Sequence, residues 1–206
     1  AIDELVILNI GKKDDKSFDK FCEILKEVTE GIFVPVAAGG GIDSLEKAKK
    51  ILRSGSDKIV INSLTLHKTQ YLRELIKIFG SQCVVISIDL IKDKNMNYKI
   101  WDNKNKIIHK IKLNKYIENI TKYKFGEIYL TSIDKDGTGQ GYDFNMLKYF
   151  KKISTPIIIS GGAGNWNHLY EGLLNKNIDA VSTANLLNFV DQGLILSRNN
   201  ILNKKF

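Results

Sequence analysis

Val36-Ala37-Ala38-Gly39-Gly40-Gly41-Ile42 and Ile158-Ile159-Ser160-Gly161-Gly162-Ala163-Gly164 decide how this chain folds. Each is an apolar run that ends in a glycine-rich loop. Each is followed by a helical stretch and then by a strand that an aspartate opens: Asp57-Lys58-Ile59-Val60-Ile61-Asn62-Ser63 and Asp179-Ala180-Val181-Ser182-Thr183-Ala184-Asn185. Gly39 and Gly161 stand 122 residues apart, and so do Asp57 and Asp179. A strand–loop–helix–strand unit repeated at a fixed offset marks a duplicated half-domain. Glycines directly after a strand let backbone N–H groups approach an anion closely. Two such loops point to a ligand with a phosphate at each end.

Outward from these loops, short Val/Ile-rich runs alternate with amphipathic stretches. Strands are expected at Glu4–Ile10, Phe33–Ala38, Lys58–Asn62, Cys83–Asp89, Glu127–Ile133, Pro156–Ser160 and Asp179–Thr183. They are almost continuously apolar, as strands buried on both faces are. Phe18, Phe21, Cys22, Leu25 and Val28 have helical spacing and end at Gly31. Asp43 with Glu46 is expected to cap the next helix, and Gly55 to close it. Further helical stripes run through Tyr71–Phe79, Leu113–Tyr123, Phe144–Phe150 and Leu169–Leu174. Repeating βα units predict an α/β fold, a (β/α)8 TIM barrel with functional loops after the strands; a doubly wound sheet is the alternative. The polar stretch from Leu90 to Lys112 is expected to be an inserted β-hairpin turning at Asp102-Asn103-Lys104-Asn105.

Composition narrows the classes. With 206 residues, 43% apolar and 26% charged, the chain is long enough for one domain with a substantial core. No apolar run reaches membrane-spanning length, and Ala1-Ile2-Asp3-Glu4 has no signal-peptide pattern. Cys22 and Cys83 read as thiols of a reducing cytoplasm. The three histidines make no metal-ligand spacing. The net charge of +8 raises nucleic-acid binding. The lysines, however, are spread along helix faces, so the expectation is no nucleic acid and no membrane partner, with the excess charge attracting an anionic substrate.

The repeat also exposes a deficit. The later half has four strands, the earlier half three, and Glu4-Leu5 aligns with Glu127-Ile128. The twin of the Cys83–Asp89 strand is therefore expected to be missing from the front. That leaves a single N-terminally incomplete barrel over residues 1–206, seven strands of eight, roughly 44 residues short of the usual ~250.

The sharpest segment is Tyr129-Leu130-Thr131-Ser132-Ile133-Asp134-Lys135-Asp136-Gly137-Thr138-Gly139-Gln140-Gly141-Tyr142-Asp143. With the two glycine loops, it closely resembles the cyclase subunit family of imidazole glycerol phosphate synthase, from Ile2 to about Phe189. A phosphoribosyl isomerase sibling shares the barrel, but Thr131-Ser132-Ile133-Asp134 followed by Gly141-Tyr142-Asp143 is closer to the cyclase. The resemblance implies a lyase of histidine biosynthesis without metal or organic cofactor. It implies a glutaminase partner that supplies ammonia, and a bis-phosphorylated ribulosyl aminoimidazole as substrate. Asp89 would be one of two acid/base aspartates, the other lying on the absent first strand. Gly40, Gly41, Asn62 and Ser63 would line one phosphate; Gly137, Gly161, Gly162, Thr183 and Ala184 the other. Thr131 and Ser160 would contact the middle of the substrate. Glu4, Lys58 and Glu127, which open three strands, would form a charged gate for ammonia, and Asp57 would face the glutaminase.

Two departures stand out. Asn9 replaces a usual aspartate, and the hairpin's Lys104–Lys110 lacks the family's Gly/Thr pattern. They leave open an ammonia-delivering partner of an amidotransferase in surface-sugar biosynthesis. A non-catalytic phosphate-binding scaffold that stimulates a glutaminase is a third reading.

Overall fold

A computed structural model describes residues 2–11, 14–184, 186, 199 and 201–203. Phe189, the expected end of the chain's family likeness, and Asn185 of the second repeat lie outside the described residues. The chain forms two compact units. One comprises Ile2–Ser87 with Asn119–Glu127, the other Ile88–Glu118 with the residues from Ile128 onward.

The first unit holds β1 (Leu5–Leu8), α1 (Asp15–Thr29), β2 (Val36–Gly39), α2 (Leu45–Arg53), β3 (Lys58–Ile61), α3 (Ser63–His67), α4 (Gln70–Phe79) and the start of β4 (Val84–Lys92). All its strand pairs are parallel. Leu5 is in register with Val36, Ala37 with Lys58, and Ile59 with Val84. The core forms where helix stripes meet the strands: Phe18, Cys22 and Leu25 from α1, Ala48 and Ile51 from α2, and Leu72 and Leu75 from α4 are buried. Asp14 caps α1, its carboxylate accepting from Ser17 N at 2.7 Å. The cap of α2 is Ser44, not Asp43. Ser44 has the extended backbone that a cap needs (φ −148°, ψ 163°), and its hydroxyl accepts from Lys47 N. Asp43 instead pairs with the Lys47 ammonium at 3.2 Å. The strands are shorter than expected at their ends. Ile10 is 95% exposed and Phe33 100%, and both lie outside β1 and β2. Val28, expected on the buried stripe of α1, is 41% exposed.

The second unit continues β4 and adds β5 (Tyr98–Asp102), β6 (Ile107–Ile108), most of β7 (Glu127–Ser132), β8 (Ile157–Ser160), α6 (Trp166–Leu174) and β9 (Ala180–Val181). Between its strands, α5 (Leu113–Ile120) crosses from one unit to the other. The Phe144–Phe150 stripe is a 3-10 helix, Phe144–Tyr149, capped by Asp143. The hairpin turns at Asp102–Asn105 as expected, with Trp101 opposite Ile108 and Asp102 opposite Ile107. A second antiparallel pairing was not expected: β4 runs on to Lys92 and pairs with β5, Leu90 opposite Ile100. Ile128 is in register with Ile157, Thr131 with Ser160, and Ile158 with Ala180, all parallel.

Hydrogen bonding orders the main strands β1-β2-β3-β4-β7-β8-β9. This is chain order without a reversal. A doubly wound sheet reverses its strand order at a switch point, so that alternative fails. The fold is α/β, in the strand order of a (β/α)8 barrel with one strand fewer among the described residues.

The duplication is visible in local geometry, but one residue out of step with the sequence alignment. Gly40 and Gly41 (φ +95° and +76°) correspond to Gly161 and Gly162 (φ +88° and +107°), so Gly39 is matched by Ser160. The caps Ser44 and Asn165 keep this offset. It lengthens by one residue only between the helix and the next strand, where Asp57 and Asp179 occupy the same role. Asp57 Oδ2 accepts from Val36 N at 2.8 Å, and Asp179 Oδ2 from Ile157 N at 2.8 Å.

Candidate active site

The second glycine loop floors a small cavity of about 50 Å³. Six expected phosphate or substrate contacts line it: Gly137, Ser160, Gly161, Gly162, Thr183 and Ala184. The left-handed backbone of Gly161 and Gly162 explains why glycine stands at both. A Cβ on Gly161 would lie 2.7 Å from Ser132 O. Gly162 O accepts from Gly141 N at 2.7 Å, which joins this loop to the Asp134–Asp143 loop. Thr183 Oγ1 is buried at this lining without a hydrogen-bond partner among the described residues, so it can donate to an anion. Thr131, in register with Ser160, is half-buried but does not line the cavity.

Four lining residues escaped the sequence reading: Tyr129, Asp136, Ala163 and Ser182. The Tyr129 hydroxyl lies 3.0 Å from Ser160 Oγ and 2.8 Å from Ser182 Oγ. The Tyr142 hydroxyl donates to Ser182 O at 2.9 Å, and burial pushes its pKa upward. In the sequence Tyr129 is simply one residue of the Glu127–Ile133 strand. Its only signal was a phenol in a strand whose register partner neighbours a glycine loop.

The Asp134–Asp143 loop is tied to the end of β4. Asp134 Oδ2 accepts from Lys92 N at 2.8 Å, and the Lys92 ammonium reaches Asp143 at 2.7 Å. Burial alone would raise the Asp143 pKa, but the Lys92 hydrogen bond and charge outweigh it and hold the carboxyl below its ordinary range.

Asp89 lies on β4, 6% exposed. Asn103 Nδ2, from the hairpin turn, donates to its Oδ2. A buried carboxylate at the C-terminal part of a parallel strand is placed where this class of fold does its chemistry.

In the first unit, Gly40 and Gly41 follow β2, and Asn62 and Ser63 follow β3, its parallel neighbour. The four therefore share the C-terminal end of adjacent strands. Asn62 Nδ2 also donates to Ser87 Oγ at 3.3 Å. Asn9 N bonds Gly39 O at 2.8 Å, and the Asn9 backbone packs against Gly40 so closely that no side chain fits there.

At the N-terminal ends of β1, β3 and β7, the structure brings Glu4, Lys58 and Glu127 together. The Lys58 ammonium lies 2.8 Å from Glu4 Oε2 and 2.7 Å from Glu127 Oε1, with all three side chains mostly buried. Glu127 Oε2 is buried without a partner among the described residues, where one cation serves the two carboxylates. Asp57 does not join this cluster; its carboxylate is committed to Val36 N. Desolvation would lower the Lys58 pKa, but hydrogen bonds to Glu127 and Glu4 more than reverse this, and it is raised above 10.5. Folded Lys58 thus keeps its proton to higher pH than in the unfolded chain. Its contribution is complete below about pH 10 and is lost as pH rises through the folded value. Lys58→Met is expected to destabilise the chain by about 2 kcal/mol, below the ~3–5 for a fully buried pair because solvent still reaches these groups. Denaturant melts at pH 7 and pH 10.5 check this: the difference between parent and variant should shrink at the higher pH.

The family of a protein with this fold and these loops is settled by comparison. A family described as Histidine biosynthesis protein matches residues 1–191. The chain belongs to this family. The putative imidazole glycerol phosphate synthase subunit hisF2 of Parasynechococcus marenigrum is 41% identical over 96% of the chain and 73% of the relative. Imidazole glycerol phosphate synthase subunit HisF of Clostridium botulinum is 37% identical over 98% of the chain and 81% of the relative. A putative hisF2 subunit of Vibrio vulnificus is 31% identical over 99% and 75%. For a histidine-biosynthesis family member, the glycine loops and the Asp89 strand are thus the parts to examine for activity.

Proposed function

We propose that the chain is the cyclase–lyase subunit of imidazole glycerol phosphate synthase. It takes ammonia and a bis-phosphorylated ribulosyl aminoimidazole and releases imidazole glycerol phosphate and aminoimidazole carboxamide ribotide. It acts as one phosphate-binding barrel domain in the cytoplasm, and a glutaminase partner supplies the ammonia. The relatives' names support this reading, and no described helix is long and apolar enough to cross a membrane.

The observation that carries it is the lining of the second-unit cavity, where six residues that the resemblance implied meet, the left-handed Gly161 and Gly162 among them. In this reading each substrate phosphate is held by one glycine loop: Gly137, Gly161, Gly162, Thr183 and Ala184 at one end, and Gly40, Gly41, Asn62 and Ser63 at the other. Backbone N–H groups there meet the charge without needing a lysine. Thr131 and Ser160 orient the middle of the substrate. Asp89 moves protons between the ammonia-derived nitrogen and the enolamine-like intermediate as the imidazole ring closes and the second product leaves. Glu4, Lys58 and Glu127 form the ammonia gate, and Asp57 lies on the partner-facing side.

The test is the purified chain with ammonium salt and the bis-phosphate, following both products. Product release supports the reading; a chain that neither binds nor converts the bis-phosphate overturns it. Tyr129→Phe probes the cavity further. Losing the hydroxyl that joins Ser160 and Ser182 is expected to raise KM about fivefold, the worth of roughly 1 kcal/mol for a neutral hydrogen bond. A KM within experimental error of the parent would remove Tyr129 from the site.

A further inference from the structure

The β5–β6 turn is built more firmly than its exposed position requires. Asp102 is fully buried. Its Oδ1 accepts from Lys104 N at 2.9 Å and Asn105 N at 3.3 Å, and its Oδ2 from Asn105 Nδ2 at 2.7 Å. Lys106 closes the turn, its N–H donating to Asp102 O at 2.8 Å, with a left-handed backbone (φ +56°) that a non-glycine residue adopts at a cost. This rigid turn projects one side chain, Asn103, onto Asp89.

The Asn103 amide is oriented from both ends. Its Nδ2 donates to Asp89 Oδ2, and its Oδ1 accepts from the Lys106 ammonium at 3.3 Å. An ammonium only donates and a carboxylate only accepts, so one amide orientation satisfies both neighbours and the flipped one satisfies neither. A donor fixed on a carboxylate sets the plane of that group and stabilises its ionised form. We propose that Asn103 is a positioning residue for Asp89, itself oriented by Lys106, so that the hairpin sets the geometry of the proton-transfer group. This rests on the acid/base reading of Asp89. It also accounts for a hairpin whose sequence departs from the family's Gly/Thr pattern: the turn is spent on presenting Asn103.

The experiment is steady-state kinetics of the full chain with ammonium salt and the bis-phosphate, for Asn103→Ala, Lys106→Met, the double variant and Asp89→Asn. Asn103→Ala is expected to lower kcat ~10–100-fold, the range for a hydrogen bond to a charged group, with KM within about twofold of the parent. Lys106→Met should lower kcat in the same direction but less, and the double variant should be no slower than Asn103→Ala, because Lys106 acts only through the amide. The proposal is overturned by a kcat for Asn103→Ala within twofold of the parent, or by additive losses in the double variant. If Asn103→Ala does not fold, the exposed Lys106→Met decides alone: unchanged kcat overturns the proposal. Asp89→Asn separates the two layers. If it retains turnover, or the parent has none, the acid/base reading falls and takes this inference with it. If it abolishes turnover while Asn103→Ala does not, only the positioning role is lost.

Discussion

Asp89→Asn is expected to lower ammonia-dependent turnover about 10³-fold while affinity for the bis-phosphate changes less than about threefold, within the range that general acid–base groups contribute. The substitution keeps the size and planarity of the side chain in a site 6% exposed to solvent, so the packing around β4 survives. What it removes is the ability to take a proton. An amide nitrogen also faces the Asn103 amide instead of a carboxylate oxygen unless one of the two flips, which disturbs the contact further. Under the proposed reading binding is little affected, because that reading assigns phosphate recognition to the glycine loops. Isothermal titration with substrate, together with product analysis, separates the two effects. Turnover within tenfold of the parent would assign the proton transfers to another group.

The second large effect is expected at Gly162. Its φ of +107° lies where an L side chain is strained, and a Cβ there would run into Gly141 O. The collision is with backbone on both sides, so no side chain can rotate away to relieve it. Gly162→Ala must therefore break the Gly141 N–Gly162 O bond or unwind the loop. We expect KM to rise about 100-fold and stability to fall by about 3 kcal/mol, summing left-handed strain and one lost buried hydrogen bond. Gly41→Ala is the internal comparison. Its φ is also positive, but the nearest atom to a Cβ is Phe18 Cδ2 at 3.4 Å, a side chain that can yield. Its stability loss should be less than half as large. Equal losses at the two positions would mean that strain, not collision, governs both.

These loops were readable because glycine at a left-handed position after an apolar strand has a sequence signature that no packing detail can hide. The strand order was readable too, since alternating βα units leave few topologies. What the sequence withheld depended on neighbours distant in the chain. Asp43 and Ser44 are both good cap residues, and only the backbone path chose Ser44. Phe33 and Ile10 look like core residues until the strands stop short of them. Tyr129 and Ser182 are separated by 53 positions, and their hydroxyl contact exists only once β7, β8 and β9 are in register. The mutual placement of Glu4, Lys58 and Glu127 was inferable because each opens a parallel strand. The solitary Glu127 oxygen was not, because it depends on the exact reach of one lysine.

The paired aspartates at positions 57 and 179 have an evolutionary corollary. Each anchors the first amide of the preceding parallel strand, and together they tolerate a repeat length that differs by one residue between the two halves. Strand alignment is therefore dictated by a carboxylate clasp and not by a ruler of connecting residues. Lineages carrying this clasp are free to insert or delete in the helix-to-strand connections, and grafts that exchange one half for another should keep their frame so long as the aspartate travels with its strand.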